Sequence, residues 1–300
     1  MKNSRATYAH KTLLLNEHYS GDPPVFDATK AQNTTTIDRM IVRPQYRETA
    51  EALHLAQGGT LGRVHKGLLT MQAQGRILVP DATQLASMED REKALRLAFD
   101  PYECYRDSPT TEGVYALSWY EPTLDLTNYP TGWMSVTRYV RPMRQPETEW
   151  TVNDQSNRRW SVILESPDPR LYDTTLGSAT VTTPFSSTNL VNKGTIPSPL
   201  RVTITMAGAG ASNFTITRGG VAFVLDLTTL VNNDVIVAVM ETCGPFGTGR
   251  FVTKNGVAAF SRKTSTYATW LDVPAGTTAF THANTTNVTS IVYAWGHARP

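Results

Sequence analysis

The chain has 300 residues, 40% of them hydrophobic and 18% charged, and its 28 Lys and Arg nearly balance its 26 Asp and Glu, for a formal net charge of +2. This balance argues against a protein that wraps nucleic acid, because such binding depends largely on neutralising phosphates. No apolar run approaches the roughly 18 residues of a membrane span, and the run at residues 13–15 is too short for a signal peptide. We therefore expect no membrane insertion.

Charge and threonine content divide the chain near Tyr172. Residues 1–172 hold 20 Lys and Arg and 21 Asp and Glu, whereas residues 173–300 hold 8 and 5. The second part also has 25 Thr in its 128 residues, and threonine favours half-exposed strands. A chain of this length suggests two domains. The sequence therefore predicts domains of residues 1–172 and 173–300.

The first part opens with a long segment, Tyr8 to Thr60, whose bends at Gly21-Asp22-Pro23-Pro24 and Gly58-Gly59 suit an arm or belt that reaches a neighbour. Within it, Gln45 to Gln57 is weakly typical of a helix. Strands are predicted at Leu68 to Met71, Gly75 to Val79, Val114 to Trp119, Gly132 to Val140 and Trp160 to Glu165. This part is therefore expected to mix α and β structure, with β dominant.

One helix is predicted with a clear pattern, over Ser87 to Phe99. Acidic residues crowd its first turn and basic residues follow, which suits the helix dipole, and Ser87 with Asp90 favours an N-terminal capping box. The helix should end at Asp100-Pro101, because the residue before a proline disfavours helical geometry. Four apolar residues can share a buried stripe: Met88, Leu95, Ala98 and Phe99.

Aromatic residues and prolines cluster between Tyr102 and Trp150. Aromatic rings at such density pack in a strand core, form a protein interface or bind a sugar, and the sequence leaves these three alternatives open. The candidates for an interface are Trp119, Tyr120, Tyr129 and Trp133.

The second part reads as an all-β domain, a sandwich of short strands between turn residues. Leu200 to Met206 alternates apolar and polar residues most clearly, and Asn255-Gly256 is typical of a two-residue hairpin turn. No helical periodicity follows Tyr172. The other predicted strands are Ala179 to Thr182, Asn213 to Thr217, Ala222 to Leu225, Asp234 to Val239, Arg250 to Thr253, Ala268 to Val273 and Ser290 to Tyr293.

The sequence offers no clear catalytic, cofactor or metal site. Gly244 to Gly249 is followed by a strand-like stretch instead of the helix that a phosphate-binding loop requires. The six histidines fall in no zinc-binding spacing and are expected to be scattered on the surface. Cys104 and Cys243 are expected to be unpaired thiols. Carboxylates suitable for a glycosidase are abundant in the first part, but the sequence cannot pair them.

Two stretches resemble a known family. The strand Arg159 to Glu165 runs into Asp168-Pro169-Arg170-Leu171-Tyr172, and Asn192-Lys193-Gly194 is followed by two prolines before the strand at Leu200. Together with Gly75 to Val79 and the helix from Ser87 to Phe99, these stretches are similar to the distal tail protein (Dit) family of long-tailed, non-contractile phages. The order of elements matches over most of the chain, although the segment Tyr102 to Gln155 is longer and more aromatic than in a compact member.

The resemblance implies a mainly β structural protein without enzymatic activity or cofactor. Its first domain would be a β-barrel-like, ring-forming domain with one packed helix, and its second a galectin-like β-sandwich facing outward. Six copies would close a ring at the tip of the virion tail after synthesis in the host cytoplasm. The implied partners are the tail tube protein, a hub or tip protein, the tape-measure protein and receptor-binding proteins, while DNA passes the lumen without specific binding.

Two other functions remain open at the level of sequence. The sandwich could serve as a carbohydrate-binding adhesin, in which case Tyr267 and Trp270 near the turn at Pro274 to Gly276 are the candidates for stacking on a sugar. The chain could also be a glycan-degrading tail enzyme, which would require two of its carboxylates to flank the scissile bond.

Overall fold

The structure is a computed structural model and describes residues 4–21, 23–30, 34–47, 50–52, 59–61, 65–79, 85–151, 154–185, 187–240, 244–247, 249–265 and 269–300. The chain divides into two compact units, Met1–Pro169 and Arg170–Pro300. Tyr172, the last residue of the predicted first domain, therefore belongs to the second unit. Both units are built mainly from strands, which confirms the predicted fold class. No helix in the described ranges is long and apolar enough to cross a membrane.

In its described residues, the first unit contains two α-helices and a set of antiparallel strands. The helices are α1 (Leu85–Ala98) and α2 (Pro101–Asp107). The strands are β1 (Ala6–Tyr8), β2 (Leu13–Leu15), β3 (Tyr19–Ser20), β4 (Val25–Phe26), β5 (Thr34–Arg47), β6 (Ala50–Ala52), β7 (Gly59–Leu61), β8 (His65–Leu78), β9 (Tyr115–Pro122), β10 (Trp133–Pro142), β11 (Glu147–Thr151) and β12 (Asp154–Ser166).

Seven of these strands follow the order β2-β1-β9-β10-β12-β8-β5, and β11 pairs with β12. β3 pairs with β4, and β6 pairs with β7, in two separate hairpins. β5 and β8 form a long antiparallel hairpin whose register runs from Thr34 opposite Leu78 to Arg47 opposite His65. The helix predicted over Gln45 to Gln57 is wrong in the described residues, because this stretch contains the end of β5 and the short strand β6. The hairpin pairing overrides a weak local preference for helix.

Asn16 links the two ends of the strand order. Its side chain donates from Nδ2 to the Ser4 carbonyl at 3.1 Å and accepts at Oδ1 from the Ile37 amide of β5 at 2.9 Å. The Asn16 amide also donates to the Thr35 carbonyl at 2.9 Å. The buried Asn16 adopts a φ of 52°, a left-handed conformation that asparagine tolerates better than most residues. β2 and β5 are thereby held together by a side chain, which makes the unit barrel-like without closing a barrel.

Helix α1 covers the apolar face of this sheet. The predicted stripe is confirmed: Met88, Leu95, Ala98 and Phe99 are at most 1% exposed. The predicted N-cap is wrong, because α1 begins at Leu85 and Ser87 lies within it. Asp100 ends this segment and then caps α2 by accepting hydrogen bonds from the amides of Tyr102 and Glu103.

The second unit is a β-sandwich. Its strands are β13 (Leu171–Asp173), β14 (Gly177–Thr182), β15 (Thr188–Asn192), β16 (Ser198–Met206), β17 (Phe214–Arg218), β18 (Val221–Leu225), β19 (Val235–Val239), β20 (Phe251–Lys254), β21 (Val257–Ala258), β22 (Asp272–Val273), β23 (Gly276–Ala283), β24 (Val288–Trp295) and β25 (Ala298–Arg299). One sheet has the order β14-β24-β16-β19-β20-β21 and the other β15-β23-β17-β18. Their facing apolar side chains form one core.

Most strands of the second unit lie where the sequence predicts them. In β16 the alternate residues Leu200, Val202, Ile204 and Met206 are all fully buried. Asn255 and Gly256 connect β20 and β21 with positive φ angles of 50° and 81°, as the predicted turn requires. β15 and β23 are not predicted, because in each of them few side chains are fully buried and the apolar alternation is weak.

Gly75 allows Trp160 to approach β8, so its replacement tests the packing of the first unit. A Cβ at position 75 would collide with the Thr36 carbonyl and the Trp160 ring. We expect Gly75→Ala to lower the free energy of unfolding by about 1 to 3 kcal/mol, the usual cost of overpacking. Urea unfolding, monitored by hydrogen exchange in peptides of the first unit, measures this change in the free energy of unfolding. Gly249→Ala is the control, because no atom lies within 4 Å of its added Cβ; equal effects of both changes would contradict the prediction.

Candidate assembly surfaces

Large apolar side chains that remain exposed are concentrated in the first unit. Contiguous exposed apolar surface commonly marks a protein interface. In the described part of the first unit they are Leu14, Val25, Phe26, Val42, Leu97, Tyr102, Tyr105, Leu124, Leu126, Met143 and Trp150. In the described part of the second unit they are Leu176, Val191, Val221, Val231, Val257 and Phe260. The described part of the first unit therefore exposes more large apolar side chains than that of the second.

The loop between β9 and β10, residues 123–132, presents the most exposed of these side chains. Leu124 is 100% exposed and Leu126 is 60% exposed. The loop is held by its own hydrogen bonds, in which the amide of Tyr129 donates to the Asp125 carbonyl at 3.0 Å and the side chain of Asn128 donates to the Asp125 carboxylate at 2.9 Å. Two leucines are thus displayed on an ordered loop.

The hairpin of β3 and β4 presents a second apolar feature. The rings of Tyr19 and Phe26 lie 5.3 Å apart, and His18 contacts both, with centroids at 4.7 Å from Tyr19 and 5.6 Å from Phe26. Val25 and Phe26 nevertheless stay 63% and 52% exposed. The hairpin belongs to the segment that the sequence predicts to be an arm or belt, and its contact with a neighbour stays a prediction.

The four aromatic residues predicted for an interface occupy different environments. Trp119 is 3% exposed and donates from its indole nitrogen to Glu121 at 2.9 Å, so it packs within the unit. Tyr120, Tyr129 and Trp133 are half-buried around the same hairpin. For these three residues a role in an interface stays a prediction.

Of the two residues predicted to stack on a sugar, Trp270 lies within the described residues. Tyr267 lies outside the described residues. Trp270 is half-buried against the core, with its ring 5.6 Å from that of Phe223. The ammonium of Lys263 lies 5.0 Å from the Trp270 ring centroid and the guanidinium of Arg250 lies 5.8 Å from it. The chain's own cations therefore occupy space beside this ring.

A polar groove of about 540 Å³ lies across β5, β8, β11 and β12. Asp38 and Arg76 form an ion pair on its wall, with Nε and Oδ2 2.7 Å apart. Its charged lining residues are Asp38, Glu147, Glu149, Arg39, Arg76 and Arg159. Three acidic and three basic side chains balance, which suits contact with a mixed polar surface better than capture of an ion of one sign.

A cysteine, a histidine and an aspartate meet in the first unit. His10 Nδ1 lies 3.2 Å from Cys104 Sγ and 2.7 Å from the Ala98 carbonyl, and its Nε2 lies 3.2 Å from Asp107 Oδ2. Lys11 also donates to Asp107. Hydrogen bonds from Lys11 and His10 lower the pKa of Asp107 to about 2. The sequence does not reveal this cluster, because His10 and Cys104 are separated by 94 residues.

The geometry of this cluster superficially suits nucleophilic catalysis, but its environment does not. Cys104 is 1% exposed, and burial raises the pKa of its thiol to about 11. A reactive cysteine requires a lowered pKa and access to a substrate. The cluster instead joins the turn at His10 to the ends of α1 and α2. The predicted surface position is wrong for His10 and also for His297, which are 2% and 6% exposed, because both rings serve as hydrogen-bonding partners of backbone groups.

In the described residues, no group of His, Cys, Asp and Glu is arranged to hold a metal ion. Cys104 is a free thiol, and Cys243 lies outside the described residues.

The stretch around Asn192 forms a hydrogen-bonded knot in the second unit. The buried Asn192 donates to the carbonyls of Ile196 and Val273 at 2.8 and 3.0 Å, and its Oδ1 accepts from the Gly194 amide at 2.8 Å. Gly194 packs against the backbone of Ala298, where a Cβ would collide. This arrangement explains why the sequence there has an asparagine followed closely by a glycine.

His297 completes this knot. Its Nδ1 accepts a hydrogen bond from the Lys193 amide at 3.1 Å, and its carbonyl accepts from the Asp173 amide at 3.2 Å. Burial lowers the pKa of His297; Lys193 and Arg299 lower it further, whereas Asp173 opposes the shift. The neutral ring is therefore the form that fits the knot.

The fold is shared with a solved structure. The Dit protein of phage SPP1 is 11% identical, covers 97% of this chain and 98% of its own, and superposes with a TM-score of 0.57. It is described as a paradigm of the hub adsorption apparatus in phages that infect Gram-positive bacteria. Two structures of the phage p2 baseplate in its activated conformation, with Sr and with Ca, are 8% and 9% identical, with TM-scores of 0.44 and 0.42 and coverage of 97% or more of each chain. No family model and no curated protein matches the sequence.

Cys104 is expected to resist alkylation in the folded protein, because it is buried and its pKa is raised to about 11. Incubation with iodoacetamide at pH 8 should leave its peptide unmodified until urea unfolds the chain, as peptide mass spectrometry will show. Rapid modification of Cys104 in the native protein would contradict the structural interpretation of the His10 cluster.

The second unit is expected to lose stability in acid through His297. Because its pKa is lowered on folding, the unfolded chain binds this proton more readily. The stabilising contribution of the neutral ring is complete above about pH 6.5 and is lost as the pH falls below that value. His297→Asn keeps an acceptor near Nδ1 but does not titrate. As the pH is lowered from 8 to 5, the unfolding midpoint should therefore fall less in this variant than in the unmodified protein. Equal falls in the two proteins would refute the role of His297.

Proposed function

We propose that this protein is a structural component of a phage tail, a distal tail protein that forms the hub between the tail tube and the tail tip. The observation that carries the proposal is the fold shared with the SPP1 Dit protein over 97% of this chain and 98% of that one. A match over both lengths covers both units, so it supports the whole architecture and not a single common sandwich. Fold alone does not specify function, so the surfaces supply the second argument.

The distribution of exposed apolar residues supports assembly through the first unit. Tyr102, Tyr105 and Leu124 are 71%, 56% and 100% exposed there, and aromatic side chains are enriched where proteins contact one another. The first unit is therefore the ring-forming domain of our proposal, and the second unit is the outward-facing sandwich. Six copies close the ring at the virion tail tip, and the protein is made in the host cytoplasm before assembly.

The ring contacts the tail tube protein, the tape-measure protein and a hub or tip protein, with receptor-binding proteins further out. The mixed charges of the groove at Asp38 and Arg76 suit such polar contacts. DNA passes the lumen without specific binding, in keeping with the formal net charge of +2.

The alternative functions find less support. A sugar-binding sandwich would need an accessible ring, whereas Trp270 is half-buried beside Lys263 and Arg250. An enzyme using Cys104 would need a reactive thiol, whereas burial keeps this one protonated. The protein is therefore proposed to act by assembly and not by catalysis.

The proposal predicts a closed ring. The purified full chain at micromolar concentration should form a species of six copies in native mass spectrometry and a sixfold ring in negative-stain electron microscopy. Purified residues 170–300 provide the comparison and should remain monomeric. A full chain that stays monomeric at all accessible concentrations would count against the proposed function.

A further inference from the structure

The turn between β20 and β21 contains a dipeptide that is chemically labile. Asn255-Gly256 is the one Asn-Gly pair in the sequence, and it connects the two strands. The amide nitrogen of a glycine can attack the carboxamide carbon of a preceding asparagine, because glycine has no side chain to hinder the approach. Gly256 is exposed, and a Cβ added to it would have no atom within 4 Å. The turn is therefore open to solvent, and the fate of Asn255 depends on how its side chain is held.

The fold holds both ends of the Asn255 carboxamide. Its Oδ1 accepts from the Val235 amide of β19 at 2.8 Å, and its Nδ2 donates to Asp234 Oδ1 at 2.7 Å. The Asn255 amide also donates to the Val235 carbonyl at 2.8 Å. Attack on Cγ closes a five-membered ring that includes the Cα and the carbonyl carbon of Asn255. Ring closure therefore changes the backbone that the hairpin turn fixes and draws the carboxamide away from its partners.

Asp234 is the anchor of this corner, which consists of Asp234, Val235, Lys254 and Asn255. It is 4% exposed, and its Oδ2 accepts from the Val231 amide and the Lys254 ammonium, each at 2.8 Å. Hydrogen bonds from Lys254, the Val231 amide and Asn255 lower the pKa of Asp234 to about 2. Asp234 is thus a carboxylate at neutral pH, and a hydrogen bond to a charged group contributes more than one between neutral groups.

Replacement of the Asn255 amide by a carboxylate would reverse the interaction at this corner. Nδ2 is the donor to Asp234, and a carboxylate at the same position is an acceptor only. Two carboxylates would then face each other at hydrogen-bonding distance, and like charges repel. The corner that must open for the reaction would therefore not close again in its original form.

We propose that Asn255 is a latent deamidation site, which the corner protects in the folded protein and whose conversion permanently loosens the junction of β19, β20 and β21. In this reaction the Gly256 amide nitrogen loses its proton and bonds to Asn255 Cγ, and the side-chain nitrogen leaves as ammonia. One water molecule then opens the resulting succinimide to aspartate or isoaspartate. The site lies within the second unit and does not depend on the proposed assembly.

The first experiment measures protection. The full chain is incubated at pH 8, folded or in urea, and peptide mass spectrometry follows Asn255, aspartate and isoaspartate. The folded chain should convert at least roughly tenfold more slowly, because reaction requires the open corner. Asp234→Asn should speed conversion in the folded chain by roughly tenfold, since it removes a charged acceptor. Asp226→Asn is the control, because the Asp226 carboxylate instead accepts from the Thr228 amide at 3.0 Å.

The second experiment measures the consequence of conversion. Asn255→Asp reproduces one product, and hydrogen exchange in peptides of residues 250–259 should become roughly tenfold faster, by an amount that salt reduces. Asn284→Asp is the matched control. Asn284 has a φ of 57°, close to the 50° of Asn255, but its Nδ2 donates to the Asn213 carbonyl at 2.9 Å and not to a carboxylate.

An exchange of the two groups separates charge repulsion from a general loss of folding. Asp234→Asn combined with Asn255→Asp again places one amide beside one carboxylate. Hydrogen exchange in this double variant should therefore be slower than in Asn255→Asp alone, as expected for two residues that interact directly.

Several results would overturn the inference. Equal conversion of Asn255 in the folded and the unfolded chain, or no conversion in either, would show that the corner protects no reactive site. Equal rates in Asp234→Asn and Asp226→Asn would remove Asp234 from the protection. Equal hydrogen exchange in Asn255→Asp and Asn284→Asp, or no recovery in the double variant, would show that conversion does not loosen the corner. Ring formation by the full chain tests the proposed function separately from all of these.

Discussion

The indole of Trp160 packs in the first unit against a strand position that has no side chain. Gly75 provides that space on β8, and the Trp160 Nε1 donates to the Thr36 carbonyl of β5 at 3.0 Å. The ring also stacks on Phe99, 6.2 Å away, and Phe99 stacks on Tyr8 at 4.5 Å. These contacts fasten β12, α1 and β1 to one another, so the sheet and its covering helix have one relative position. Because protein interiors are close-packed, a change at one of these rings disturbs the others.

Buried polar side chains also connect segments that are distant in the chain. Asn16 joins Ser4 to Ile37, and Asn192 joins Ile196 to Val273. Each uses both ends of an amide side chain on backbone groups, which suits a buried site because an unpaired backbone group there costs free energy. His10 acts similarly between α1 and α2. These polar side chains therefore connect segments that lie far apart in the chain.

A stable scaffold of this kind leaves its surfaces for assembly. The apolar side chains that the core does not use remain on loops and hairpins such as residues 123–132 and β3–β4, where a rigid base positions them. Because β-rich units tend to leave strand edges and hairpins unpaired, association of identical copies is a natural way to cover them. The proposed ring is consistent with this distribution, with the fold shared with the SPP1 Dit protein, and with the charge-poor composition of the second unit.

The sequence by itself determined those structural features that depend on a few neighbouring residues. The alternation in Leu200 to Met206 and the stripe of α1 repeat with the period of a strand or a helix. The turn at Asn255-Gly256 depends on two neighbouring residues that both accept a positive φ. Only the tertiary structure decided which of the aromatic residues are buried, that His10 meets Cys104, and that Leu124 is left exposed. These outcomes depend on contacts between segments that are far apart in the chain, and no local pattern encodes them. The helix predicted over Gln45 to Gln57 was wrong for the same reason, because strand pairing outweighed a weak local preference for helix.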